Sequence, residues 1–294
     1  MPVKFSGVIC AVLTPFDANE ELDETALRTQ IEFLINAGIH GLLFTGGAGE
    51  FLNMEDSERK RVTETAVEQV RKRMPVIVGV LSPDTRHVCT LARDARKAGA
   101  DAVMVLPPYY VSPSPMAIRD HYRRVADEGI PIVVYNNPAR TNVNLDAAML
   151  KELAKIEQVV AVKDCDRNLT TLSEKIFALG DRIQILSGED DLALPTLLLG
   201  APGGMWATVN LFPEIFVEMY QAVAAGNIVL ARQQHYRLLP LWKACFVANH
   251  PAPLKAAMAL ASRPLGKARS PLASLSEEQL ANVRSALAAV EQFA

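Results

Sequence analysis

The chain lacks most of the features that would tie it to metals, disulfides, membranes or nucleic acid. Its four cysteines, Cys10, Cys89, Cys165 and Cys245, are widely scattered and form no CxxC pair. That argues against a disulfide framework and a thiolate zinc site, and fits reduced thiols in a cytoplasm. The five histidines, His40, His87, His121, His235 and His250, are equally dispersed and none stands in an HExxH spacing, so no metal site is expected. No stretch approaches the roughly 20 apolar residues of a membrane helix. The opening "MPVKFSGVICAVLTPF" has a short apolar run but no small-residue cleavage pattern after it, and it is not read as a signal peptide. Thirty basic residues against thirty-three acidic ones give a net charge of -3, with no basic block. Nucleic acid and anionic membranes are therefore poor partners, and small neutral or anionic metabolites are better ones.

What is present is a regular alternation. Half of the 294 residues are hydrophobic, enough for a substantial core. Short apolar segments, "GVICAVLTP", "GLLFTG", "PVIVGVL", "AVMVLPP", "PIVVYNNP", "VVAVKD", "IQILSG" and "GGMWATVN", alternate with amphipathic ones such as "DETALRTQIEFLINAG" and "SPMAIRDHYRRVADEG". This is the pattern of βα units feeding a parallel sheet. Gly38, Gly99, Gly129, Gly180 and Gly200 each stand between a helix and the next strand, where a left-handed C-terminal cap suits glycine. Eight units predict an α/β fold, a closed (β/α)8 TIM barrel over residues 1–227. An open doubly wound sheet is the alternative, weakened by the absence of a nucleotide fingerprint. Residues 228–294 read as appended helices only.

In such a barrel the chemistry sits where strands end. After the second strand comes "TGGAGEF", Thr45 to Phe51, whose glycines let backbone amides approach a small anion such as a carboxylate. The loop lacks a phosphate-binding lysine, and Glu50 would repel phosphate; a plain tight turn is the alternative. The fourth and fifth strands end in "LPPYYVSPSP" and "VVYNNPART", bringing Tyr109, Tyr110 and Tyr135 to the mouth as possible proton carriers. Arg140 follows, a fork suited to a carboxylate. A tyrosine in the core or an arginine in solvent is the blander reading of each. The sixth strand ends in Lys163. A lysine inside a barrel loses hydration, which favours the free amine, and such an amine condenses with carbonyls to a Schiff base that acidifies the adjacent carbon. The alternative is a structural ion pair, with Asp164 or an outer helix. Gly188 and Met205, at the ends of the last two strands, are placed among the substrate-binding residues. Glu189, Asp190 and Asp191 beside them disfavour phosphate, so an unphosphorylated substrate is expected. Phe51, Asn137, Asn142 and Met205 would bear on the choice of a second substrate.

The ordered set "TGGAGEF", "PPYY", "YNNPART", "VKD" and "SGEDD" resembles the dihydrodipicolinate synthase and N-acetylneuraminate lyase family of Schiff-base barrels, over essentially the whole chain. The resemblance implies that Lys163 forms an imine with pyruvate or another 2-oxo acid, with no cofactor beyond that covalent imine. It implies that Tyr135 shuttles protons, that amides around Gly47 and Ala48 hold the carboxylate, and that Arg140 binds a second carboxylate. It further implies that Tyr110 reaches into a neighbouring subunit's site, within a homotetramer built as a dimer of dimers. One departure stands out: synthases usually read "GTTGE" here and use a threonine hydroxyl as a proton relay, whereas this chain has Gly47 and Ala48. Thr45 or a water is expected to stand in. The leading expectation is therefore a lysine-imine lyase, aldolase or dehydratase, acting on an unphosphorylated 2-oxo acid. The synthase of lysine biosynthesis, an imine deaminase and a silent 2-oxo acid binding protein are its alternatives.

Overall fold

The computed structural model describes residues 4–293. Eight parallel strands close into a barrel in chain order: β1 (Gly7–Ala11), β2 (Gly41–Phe44), β3 (Val76–Gly79), β4 (Ala102–Val105), β5 (Ile132–Asn136), β6 (Val159–Asp164), β7 (Gln184–Ser187) and β8 (Gly203–Trp206). All but the first residue of β7 are buried. Side chains on one face fill the barrel while those on the other meet the helices, so the strands read as unbroken apolar runs rather than alternating ones.

The ring shuts between β8 and β1, where Gly7 pairs with Gly203 and Cys10 with Trp206. A Cβ on Gly203 would lie 2.2 Å from the Gly7 carbonyl oxygen, so the seam depends on backbone meeting backbone. The β7–β8 contact is the thinnest, with one registered pair, Ser187 and Gly204. Side chains reinforce it: Trp206 Nε1 donates to Ser187 Oγ at 3.3 Å, and buried Asp190 accepts from the Thr208 amide at 2.7 Å and the Ala207 amide at 3.2 Å.

Capping chemistry sets the helix starts. Asp23 accepts from the Ala26 amide before the helix Glu24–Asn36, Ser114 from Ala117 before Pro115–Ala126, and Asn168 from Thr170 and Thr171 before Leu169–Leu179; each satisfies an orphan N–H of the first turn. Of the five expected glycine caps, Gly38, Gly99, Gly129 and Gly200 have positive φ. Gly180 does not, at φ −56°: the Arg182 and Ile183 amides both donate to the Leu179 carbonyl, so that helix ends by tightening rather than reversing its hand.

The helices Ile228–Cys245, Ala252–Leu260 and Glu277–Gln292 pack on the barrel. Trp242 Nε1 donates to Thr208 Oγ1 at 2.9 Å, and Arg263 donates to the carbonyls of Asn210 and Leu211. No helix among the described residues is long and apolar enough to cross a membrane.

Candidate active site

Lys163 and Tyr135 are registered partners on β6 and β5, and adjacent parallel strands in register carry matching residues on the same face. Both are buried, at 6% and 8% exposure. Lys163 Nζ lies 4.8 Å from the Tyr135 ring centroid and has no carboxylate partner among the described residues. The next residue settles where an acid could have been. Asp164 points the other way, toward the outer helix Leu169–Leu179, where its carboxylate meets Lys175 Nζ at 2.7 Å. The lysine is thus not locked to its neighbouring aspartate.

The Tyr135 hydroxyl accepts from Asn137 Nδ2 at 2.9 Å. Burial pushes the phenol well above its usual range, with the Cys165 thiol and Glu189 adding to the effect, so the proton stays on oxygen until a base arrives. Cys165 is itself buried, and its thiol is likewise held protonated by burial. Gly188 follows β7; its amide donates to the Asp164 carbonyl at 2.7 Å, and the place a Cβ would take there is filled by Cys165 Sγ and Lys163 Cε. Met205 is wholly buried on β8, registered with Ile9.

The Thr45–Phe51 loop folds tightly. The Glu50 amide donates to the Gly47 carbonyl at 3.1 Å and the Phe51 amide to Gly46 at 3.4 Å, while Thr14 Oγ1 donates to the Gly49 carbonyl at 2.8 Å. The amides of Gly47 and Ala48 find no protein acceptor among the described residues, and Gly47 is exposed, with nothing within 4 Å of the place a Cβ would take. Unpaired N–H groups on such a turn have the chemistry to receive a small anion. Thr45 departs from expectation: its hydroxyl lies between the carbonyls of Phe44, at 2.8 Å, and Gly79, at 2.9 Å. Its single proton is held by main chain and is not offered to the Tyr135 side of the barrel.

Arg140 sits on the short helix Pro138–Thr141 directly after β5, exposed and without a side-chain partner among the described residues. Tyr110 is 95% exposed at φ +73°, so within one chain it does not join Lys163; Tyr109, beside it, is half-buried and faces the Arg59 charge.

His250 was not visible in the sequence as a site residue. It stacks on Phe246 at 5.3 Å, and burial, with Arg140 and Lys163 nearby, pushes it down to about 4, so the imidazole is neutral at pH 7. Nothing in "FVANHPAP" announces this, because the contact joins segments about a hundred residues apart. Arg167 is a second addition, pairing with Glu189 and, at 2.5 Å, with Asp191 at the barrel mouth. Among the described residues no three His, Cys, Asp or Glu side chains converge as a metal ion would require.

Residues 4–290 match the model of the dihydrodipicolinate synthetase family. The chain is 39% identical over 285 residues to the 4-hydroxy-tetrahydrodipicolinate synthase of Methanothrix thermoacetophila, covering 96% of each chain. It is 40% identical over 276 residues to that of Methanocaldococcus jannaschii, covering 93% of this chain and 94% of the other. A crystal structure of a dihydrodipicolinate synthase superposes with a TM-score of 0.94 at 38% identity, covering 98% of this chain and 99% of that one. By sequence and by fold, the chain belongs to the dihydrodipicolinate synthetase family.

Proposed function

We propose that the protein is a lyase working through a lysine imine, and that its first substrate is pyruvate or another unphosphorylated 2-oxo acid. The observation that carries this is Lys163: an amine buried beside Tyr135, with no carboxylate to hold it, its aspartate neighbour neutralised by Lys175 on the opposite face. Lys163 Nζ attacks the ketone carbon, the oxygen leaves as water, and a protonated imine remains. That cation draws electrons from the adjacent carbon, which loses a proton to become an enamine carbon nucleophile. Tyr135 carries protons to and from this centre. The Gly47 and Ala48 amides hold the 2-oxo carboxylate, and Gly188 and Met205, at the ends of β7 and β8, contact the substrate. Arg140 takes a second carboxylate or a polar tail.

A second reading names the reaction: condensation of pyruvate with aspartate semialdehyde. The relatives called 4-hydroxy-tetrahydrodipicolinate synthase favour it. The loop opposes it, since neither residue 47 nor 48 carries a hydroxyl and Thr45 is bound to main chain. The exposure and left-handed backbone of Tyr110 support a role for it in a neighbouring copy's site within a homotetramer, and sedimentation of the purified protein tests that.

Borohydride reduction with pyruvate tests the central reading. A stable adduct on Lys163, absent from Lys163→Ala, is the expected result, and no adduct on the native chain removes the proposal. Consumption of aspartate semialdehyde by the pyruvate-loaded enzyme then separates the synthase from an aldolase or dehydratase, and ammonia release would indicate a deaminase.

A further inference from the structure

The carboxylate-binding loop ends on a buried acid. Glu50 stands two residues after Ala48, in a left-handed conformation at φ +58° that non-glycine residues seldom adopt, and its side chain is wholly enclosed. A bare carboxylate directly beneath an anion cradle would repel the anion it is meant to receive. Two groups from the far end of the chain meet it. Lys255 Nζ, from the helix Ala252–Leu260, lies 2.6 Å from Oε1, with side-chain exposures of 1% for the lysine and 0% for the glutamate. The backbone amide of Arg269 donates to Oε2 at 2.8 Å.

The anchoring extends on both sides. Lys255 Nζ also donates to the Lys267 carbonyl at 3.1 Å and sits 4.3 Å from the Phe16 ring centroid. Arg269 covers the same ring at 3.9 Å and pairs with Glu58, whose carboxylate closes the capping box of the helix Asp56–Val70. The Glu50 amide meanwhile donates to the Gly47 carbonyl, so whatever fixes Glu50 fixes the turn that presents the Gly47 and Ala48 amides. A strained residue persists only where its surroundings over-determine it, and here they do so from a segment more than 200 residues away.

We infer that Glu50 and Lys255 are positioning residues for the substrate carboxylate: the pair sets the Gly47–Ala48 turn and cancels the charge beneath it, which makes the C-terminal helices part of the binding site. This rests on the lysine-imine reading above. It adds that affinity for the carboxylate, as distinct from reactivity of the amine, is set across the boundary expected at residue 227.

The experiment compares two ketones that differ in the carboxylate, pyruvate and acetone, by the concentration of each that gives half-maximal borohydride trapping at Lys163. The native chain should prefer pyruvate. In Lys255→Met the preference should fall about tenfold or more, the scale of one lost charge-assisted hydrogen bond, and Lys255→Arg should recover most of it. Should Lys255→Met fail to fold, as seen by circular dichroism, the Lys255→Gln chain, which removes the same positive charge but keeps a hydrogen-bond donor, gives the same readout. A preference that stays within about threefold of the native value, including the case where both ketones weaken together, overturns the inference. A native chain that traps neither ketone would instead mean that the Schiff-base reading itself is wrong.

Discussion

A Cβ on Gly188 would stand 2.3 Å from Cys165 Sγ and 3.1 Å from Lys163 Cε. Both side chains are buried, so neither can step aside without disturbing the barrel interior. Gly188→Ala should therefore displace the amine, and a misplacement of about 1 Å costs on the order of 10²-fold in rate. The rate of pyruvate trapping by borohydride, followed by mass, measures it; a native rate would show that Lys163 does not depend on this contact. Tyr135→Phe should behave differently. The ring and its packing remain, so imine should still be trapped at saturation, while turnover through carbon–hydrogen bond breaking should fall by about 10² to 10⁴. Loss of methyl-proton exchange of pyruvate in heavy water, with trapping retained, is the expected signature. At this scale the sequence was legible where a residue's position follows from its place on a strand, as for Lys163 and Tyr135, registered on β6 and β5. It was not legible for Thr45, Glu50 or His250, whose partners, a carbonyl on β3, Lys255 and the Arg140 charge, lie in distant segments.

β6 shows how one element serves two purposes. Its last two residues alternate sides, so Lys163 enters the barrel while Asp164 meets Lys175 from the outer helix. Asp166 strengthens the outer cluster at 3.3 Å, and Asn136 of β5 approaches Asp164 at 3.5 Å. Lys175→Met would leave a buried carboxylate without its cation, an uncompensated charge that costs about 3 to 5 kcal/mol. The urea midpoint of Lys175→Met should fall accordingly, and Lys175→Met combined with Asp164→Asn should regain part of the loss. An unchanged midpoint for the single variant would show that water reaches Asp164. The strands themselves were easy to read because burial on both faces leaves apolar runs. Helix starts were also legible, since Asp, Ser and Asn caps act locally. Gly180 was misread because its helix can end without a left-handed residue when the next two amides find the same carbonyl, a choice set by where the chain must go to begin β7.

Over the whole molecule, the packing of helices on the barrel fixes a pH limit. His121, on the helix Pro115–Ala126, is 2% exposed. Its Nδ1 shares a proton with Thr85 Oγ1 at 2.9 Å, on the neighbouring helix Thr85–Ala98, and its Nε2 has no partner among the described residues. Burial, helped by the Arg124 charge and opposed by a backbone contact at Leu106, pushes it down to about 4. An unfolded chain would bind this proton near pH 6.5, so between pH 6.5 and 4 the unfolded state holds more protons than the folded one. Stability then falls as pH drops through that window, and is unaffected by His121 above it. The full loss from this residue is about 3 kcal/mol. His121→Gln, which cannot take up a proton, should flatten the dependence of the urea midpoint on pH between 6.5 and 4, whatever it does to the midpoint at pH 7. A variant whose slope matches the native chain would show that acid lability comes from elsewhere, with His250, also held near 4, the next imidazole to replace.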